Sequence, residues 1–312
     1  LCTAVAAYAA EIEGPLRVFT ADSLAAAGAR VLAAFRAHHP AVQPAQESAG
    51  SLDLVRRITD LGEVPDVLLV ADFEVLPHLL MPRHASWYAV VARNRMVIAY
   101  RPESAGAAAL GGTSWYEVLL RPDVVQGVAD PDRDPAGYRT RMVWELAERH
   151  YGIPGLAARL RAAVRAQDVR PQAAQLVALL EVGEIDYAWV YRSVAEAAGL
   201  RYVTLPPEID LGDPARAAQY AAVAVEVAGA TPAQRRTIRG LPIVYALTIP
   251  AGAPHRAAAE AFVAFLAGPE GHAALAAAHL EPVAPPQAND PAALPGALRP
   301  AFAPLAFAPP AR

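Results

Sequence analysis

The chain has 312 residues, 54% apolar and 19% charged, with a formal net charge of -4, a globular profile with no general attraction for nucleic acid or anionic membrane. Apart from histidine its cations are all arginine, which excludes Schiff-base chemistry and a phosphate-loop lysine. Cys2 is the only cysteine, so disulfides, zinc fingers and thiol redox pairs are excluded.

The opening LCTAVAAYAAEIEG, residues 1–14, reads as a signal or anchor remnant. Ala7-Tyr8-Ala9 suits a secretory cleavage pattern and Cys2 a lipid-anchor position, and both place the chain outside the cytoplasm. Leu16 to Thr20 is then a strand and Ser23 to His39 a helix with Leu24, Val31, Leu32 and Phe35 on one face. Val42 to Glu47, Ser51 to Leu61 and the buried run DVLLVAD from Asp66 continue a βαβαβ opening, so a parallel sheet covered by helices is expected. Trp87 to Tyr100 is long and extended, and LPIVYALTIP from Leu241 is its counterpart. Between them lies a second α/β set. It has helices near Ser114, from Pro135 to Tyr151, from Gln172 to Val182 and from Ser193, and strands at Val125 to Ala129, up to Tyr191 and from Arg201. Two crossing strands around an inserted α/β unit imply two lobes and a hinge: residues 15–96 with 246–312, and residues 97–245. Helices from His255 and Pro269 follow. The end, with nine prolines between Pro282 and Pro310, is expected to run extended over the surface.

No run of about 18 apolar residues exists to span a membrane. Metalloprotease, nucleophile-elbow and dinucleotide motifs are absent, and the eight histidines are scattered. The stretch ADPDRDPAGYRT from Ala129 packs Asp130, Asp132 and Asp134 into five residues. A calcium loop would need Gly and Glu where Pro135 and Arg141 stand, so it is not one. Asp130 and Asp132 read as solvated loop acids, and Asp134 before Pro135 as a helix N-cap.

Ligands of open α/β sheets bind at the carboxyl ends of strands, against helix N-termini. Four places have that character: FTADSL with Ser23; SAGSLDL, where Gly50 is expected to allow a tight turn before Ser51; the Asp134 helix start; and the helix start near Ala173, paired with Tyr191. Each serine alone reads as a helix cap and Tyr191 as a core-edge tyrosine. Together they describe an anion site made of neutral donors, with no Lys or Arg required.

FTADSL, SAGSLDLVRRITDLGEVPDVLLVADFEVLPHLLMP, WYAVVARNRMVIAY, DPDRDPAGYRTRM, LLEVGEIDYAWVYRSVA and LPIVYALTIPAGAPH occur in that order between about Leu16 and Pro300. This series resembles the tungstate/molybdate-binding proteins that serve ABC importers. The resemblance implies a two-lobed α/β periplasmic-binding-protein fold of the second type, with mixed sheets and lobes that close over one oxyanion. It implies no enzymatic activity and no cofactor besides the tungstate or molybdate ligand. It also implies a membrane permease as partner, a monomer and an extracytoplasmic location. Ser23 and Ser51 match hydroxyl donors, Ala136 and Ala173 backbone amide donors, and Tyr191 a tyrosine donor. Asp134 and Glu181 match two carboxylates that raise the metal from four to six oxygen ligands.

Such acids beside a dianion repel it by several kcal/mol at an effective dielectric near 20. Tungsten(VI) and molybdenum(VI) accept further oxygen donors and sulfur does not, so the two acids would select against sulfate. Glu181 near the end of its helix opposes the helix dipole, and an ion pair with Arg192 is its alternative role. A receptor for sulfate or another simple anion, and a hydrolase using Asp134 and Glu181 as an acid/base pair, are the rival readings. The chain departs from the family in having Asp22 where Gly is common before the first serine, and in the uncharged RPQAAQL before the fourth site.

Overall fold

The computed structural model describes residues 12–71, 73–111, 114–228 and 235–307. The expectations for Cys2 and for the Ala7–Ala9 cleavage pattern lie outside the described residues. In chain order the elements are β1 (Gly14–Ala21), α1 (Ala25–His38), β2 (Val42–Ala49), α2 (Ser51–Leu61), β3 (Val67–Val70), β4 (Ala89–Arg93), β5 (Met96–Tyr100), α3 (Trp115–Leu119) and β6 (Gln126–Ala129). Next come α4 (Pro135–Tyr151), α5 (Leu156–Ala162), β7 (Val169–Arg170), α6 (Ala173–Val182), β8 (Tyr187–Tyr191), α7 (Arg192–Ala197), β9 (Arg201–Thr204) and α8 (Ala217–Tyr220). The last are β10 (Ala224–Ala228), β11 (Arg235–Arg239), β12 (Val244–Thr248), α9 (Arg256–Ala267), α10 (Pro269–Ala277), β13 (Glu281–Ala288) and β14 (Ala303–Pro304).

Two compact units share this chain. Among the described residues, one holds those up to Ala92 and those from Val244 onward, and the other those from Arg93 to Ile243.

The first unit is built on a seven-stranded sheet in the order β14-β13-β4-β12-β3-β1-β2. Strand β1 runs parallel to β2 and β3, and β12 antiparallel to β3. All four residues of β3 are buried, as a parallel strand covered on both faces requires. Helix α1 turns Val31, Leu32 and Phe35 inward, and Phe35 meets Phe262 of α9 edge-on at 5.2 Å. Helix α2 buries Leu54, Val55 and Ile58, three positions on one face.

The second unit is built on a five-stranded sheet in the order β7-β6-β8-β5-β9, plus the two-stranded ribbon β10-β11. Strands β7, β6 and β8 are parallel, and β5 is antiparallel to β8 and β9. Trp189 of β8 is fully buried and stands edge-on to Trp115 at 5.3 Å and to Trp144 at 5.8 Å. Its indole N–H donates to Gln126 of β6 at 3.0 Å, which removes the cost of burying both polar groups.

Two sequence expectations change here. The extended run from Trp87 is two strands, β4 and β5, which belong to different sheets and are separated by Asn94 and Arg95. The proline-rich end is not a surface strap. Strand β13 lies inside the larger sheet between β14 and β4, and Leu294, Leu298 and Phe302 are buried in the core of the first unit. Those three apolar residues recur every fourth position, a burial signal that the proline count obscured. Finally, α5, β7 and the β10-β11 ribbon have no counterpart in the sequence reading.

Candidate functional site

In the first unit β1 and β2 are in register, with Ala21 opposite Ala49. Two residues beyond that pair stand Ser23, in a 3-10 turn spanning Asp22–Leu24, and Ser51, the first residue of α2. Matched register therefore delivers both hydroxyls to the same carboxyl edge of neighbouring strands. Neither serine is a helix cap: the cap positions of α1 and α2 are Leu24 and Gly50, without side-chain capping bonds. Ser23 is exposed, and its side chain has no hydrogen-bond partner among the described residues. Ser51 Oγ accepts from the Ala71 amide, just past β3, at 3.3 Å. A hydroxyl that accepts still has its own hydrogen to donate. Gly50 has φ -58° and ψ 143°, ordinary extended backbone, so the tight turn expected of it does not occur.

In the second unit the parallel strands β6, β7 and β8 end at one edge of the sheet, and the helices α4, α6 and α7 follow them there. Asp134 is the N-cap of α4, with Pro135 at the first helical position. One of its carboxylate oxygens accepts from the Ala136 amide at 2.8 Å, and the other from the Ala173 amide, the start of α6, at 2.8 Å. A single carboxylate thus bridges two helix N-termini, each of which favours negative charge.

Close packing makes this bridge possible. A Cβ on Gly137 would lie 2.4 Å from the Ala129 carbonyl oxygen and 2.6 Å from the Pro131 nitrogen, so only glycine lets the loop after β6 fold against the first turn of α4. On β6 a Cβ at Gly127 would meet Ile185 Cδ1 at 2.7 Å and Leu176 Cδ2 at 2.9 Å, so those side-chain ends pack close against the strand.

The other two aspartates of the loop are structural. Asp130 accepts from the Asp132 amide at 2.9 Å and so closes its own turn. Asp132 holds the ribbon, accepting from the Ala228 amide at 2.7 Å and pairing with Arg235 at 3.3 Å. The Ala228 amide, and after it Arg235, keep the Asp132 carboxyl below its usual range. The expectation of two merely solvated acids is therefore corrected: sequence spacing cannot show a ribbon about a hundred residues away in the chain.

Tyr191 ends β8, and its phenolic oxygen accepts from Arg139 Nη1 at 2.5 Å. The Arg139 guanidinium carbon also stands 5.5 Å from the Tyr191 ring and 5.7 Å from the Tyr138 ring. Sequence reasoning missed Arg139. Its signal was an arginine in the second turn of α4, close to the positive end of the helix dipole, where helix stability does not favour a cation.

Glu181 does not join this group. It lies exposed in the last turn of α6, eight residues after Ala173, so about 12 Å of helix separates it from the amide that meets Asp134. Two carboxylate oxygens on one metal stand within roughly 4 to 5 Å of each other, twice a bond of about 2 Å. The structure does not bring Glu181 beside Asp134, so the paired-acid expectation is not met by this placement. Among the described residues Glu181 makes no ion pair with Arg192, which bonds Glu196 at 2.7 Å. Among the described residues no group of three or more His, Cys, Asp or Glu side chains could hold a metal ion.

The chain belongs to the family of bacterial extracellular solute-binding proteins, which it matches over residues 16–281. It is 42% identical over 265 residues to a solute-binding protein of Petrotoga mobilis, covering 85% of this chain and 83% of the relative. It is 36% identical over 263 residues to the molybdate/tungstate-binding protein WtpA of Pyrococcus abyssi, covering 78% and 75%. Among solved structures it resembles the sulfate-binding protein SubI from Mycobacterium tuberculosis H37Rv, with a TM-score of 0.58 and 16% identity over 90% of this chain and 89% of that one. It also resembles the Azotobacter vinelandii periplasmic molybdate-binding protein, with a TM-score of 0.55 and 17% identity over 85% and 98%. At such identities the likeness establishes the fold, which is the periplasmic-binding-protein type II fold expected from the sequence. Among the described residues no helix is long and apolar enough to cross a membrane.

Proposed function

We propose that the protein is an extracytoplasmic receptor that captures tungstate or molybdate and passes it to the membrane permease of an ABC importer, without catalysing a reaction. The bridging of the α4 and α6 N-termini by Asp134 carries this reading. Two amides aimed at one negative group form an anion cradle, and the group they now hold is an acid of the protein's own chain. The names of the WtpA relatives support the choice of metal oxyanion.

The donors assigned to the oxyanion are, in the first unit, the hydroxyls of Ser23 and Ser51 and, in the second, the hydroxyl of Tyr191 and the amides of Ala136 and Ala173. Those amides must first leave Asp134, so loading is an exchange. The displaced carboxylate is tolerable beside a dianion only when it bonds the central atom. Tungsten(VI) and molybdenum(VI) accept such a donor, whereas sulfur in sulfate leaves the repulsion uncompensated. With Glu181 remote, Asp134 is the one added carboxylate, and the coordination rises to five oxygens rather than six. A hydrolase that pairs Asp134 with Glu181 finds no support in their placement, since they stand toward opposite ends of one helix, α6.

Calorimetric titration with tungstate, molybdate, sulfate and phosphate tests the reading, alongside the rise in melting temperature that ligand binding to the folded state produces. Tungstate and molybdate should bind at least a hundredfold more tightly than sulfate. Equal affinity for sulfate would turn the site into a simple-anion receptor, and no response to either metal oxyanion would remove the proposal.

A further inference from the structure

Gln46 of β2 carries an inference about how the first unit presents Ser23, and it rests on the function proposed above. Strands β1 and β2 pair Val18 with Gln46 and Thr20 with Ser48, so these four residues share one face of the sheet. Helix α1 lies tight on that face: a Cβ on Gly28 would stand 3.0 Å from Thr20 Cγ2 and 3.2 Å from Gln46 Oε1. The Gln46 amide nitrogen donates to the Ala25 carbonyl at 2.9 Å and to Ser48 Oγ at 3.1 Å. Ala25 is the first residue of α1, and it follows directly on the 3-10 turn Asp22–Leu24 that holds Ser23. Leu24, at the cap position, makes no side-chain capping bond. The tie from Gln46 thus fastens an uncapped helix start, and the turn before it, to the neighbouring strand.

The other half of the same amide supplies the second part of the argument. Gln46 Oε1 is buried and has no hydrogen-bond partner among the described residues. An unpaired buried acceptor is destabilising, and an apolar side chain of similar size would fill this place without one. Packing alone therefore disfavours glutamine here, whereas the bond to Ala25 needs its amide N–H group. We propose that Gln46 is a positioning residue for the oxyanion: by tying the first residue of α1 to β2, it holds the turn that carries Ser23 so that this hydroxyl is in place before the guest arrives. The role is indirect, and it differs from a packing role in that it acts through Ser23 alone.

The test is calorimetric titration of the full chain with sodium tungstate, for wild type, Gln46→Met, Ser23→Ala, Ser51→Ala and the double variants Gln46→Met/Ser23→Ala and Gln46→Met/Ser51→Ala. Methionine keeps the unbranched shape and removes both the donor and the unpaired acceptor. Gln46→Met should weaken tungstate binding about 3- to 10-fold, the range of one neutral hydrogen bond. In the Ser23→Ala background the same change should cost less than about twofold, because the hydroxyl it positions is gone. In the Ser51→Ala background the full loss should remain, since Ser51 begins a different helix. The melting temperature of unliganded Gln46→Met should stay within about 2 °C of wild type, because losing the bond to Ala25 and removing the unpaired acceptor oppose each other.

Wild-type affinity in Gln46→Met, a loss that persists undiminished without the Ser23 hydroxyl, or a loss accompanied by a melting temperature several degrees lower would each overturn the inference while leaving the receptor reading intact. Should Gln46→Met fail to fold, Gln46→Asn carries the test: its amide is one methylene too short to reach Ala25, so it should reproduce the loss and its dependence on Ser23, whereas wild-type affinity would overturn the positioning role. Failure of the wild type itself to bind tungstate or molybdate would overturn the receptor reading and this inference together.

Discussion

The two units present their strand-end donors in opposite states. In the first unit the Ser23 side chain has no partner among the described residues, and Ser51 only accepts a long bond of 3.3 Å from Ala71. In the second, both amides proposed for the ligand are held by Asp134 at 2.8 Å, and Tyr191 is engaged by Arg139. A donor that is idle before binding contributes its whole bond to affinity. One that must first be released contributes only the difference between the ligand and the group it replaces. On the proposed function, selectivity would belong to the second unit, where the ligand competes with a carboxylate, and the serines of the first would strengthen binding for any tetrahedral oxyanion alike.

The largest expected effect follows from removing the competing charge. Asn caps a helix about as well as Asp, so Asp134→Asn should keep the bond from Ala136 and the start of α4. It should leave the Ala173 amide without its carboxylate partner, and it removes the repulsion against sulfate. Titration should then show sulfate affinity rising and tungstate affinity falling, with the ratio between them lowered on the order of 100-fold, about 2.7 kcal/mol. An unchanged ratio would mean that the carboxylate never touches the metal.

Next come the serines. Ser23→Ala and Ser51→Ala each delete a donor that acts only in the loaded state, and each should weaken tungstate and sulfate by similar factors of roughly 10 to 100, as expected for a hydrogen bond to a charged group. Ser51→Ala also leaves the Ala71 amide unpaired, so a small drop in the unliganded melting temperature should accompany it and not Ser23→Ala. A serine variant that altered the tungstate to sulfate ratio would break the division between the units.

A smaller effect is expected from deleting an amide. Ala173 is the first residue of α6, and Gln172 before it is extended at φ -139° and ψ 145°, so proline is sterically compatible there. Ala173→Pro removes the N–H from Asp134 in the empty protein and from the oxyanion in the loaded one. Because both states lose a bond of the same kind, tungstate affinity should change by less than about threefold, against the much larger loss for Ser23→Ala. A loss as large as that of the serine variants would show that the amide is not exchanged in the way proposed.

Sequence patterns revealed the fold more fully than the site. The buried run of β3 and the inward face of α1 follow from periodicity alone, and so does the placement of Ser23, Ser51, Asp134 and Tyr191 at strand ends. What periodicity could not show was partnership across the chain. The Asp134 bond to Ala173 spans 39 residues and the Arg139 bond to Tyr191 spans 52, and each depends on β6 lying beside β7 and β8. Glu181 was misplaced for a related reason: belonging to the right helix says nothing about which end of that helix faces the ligand.

Glu181 also gives the smallest prediction and the sharpest control on that error. At the C-terminal end of α6 its charge meets the negative end of the helix dipole, and it has no ion-pair partner among the described residues to offset this. Glu181→Gln should leave tungstate affinity unchanged within about twofold and raise stability by roughly 0.3 to 1 kcal/mol at low salt, with the gain shrinking as salt is added. Chemical denaturation at two ionic strengths measures the second effect and titration the first. A large loss of tungstate affinity would bring Glu181 back as a ligand, which would require the end of α6 to approach Asp134 far more closely than the present helix permits.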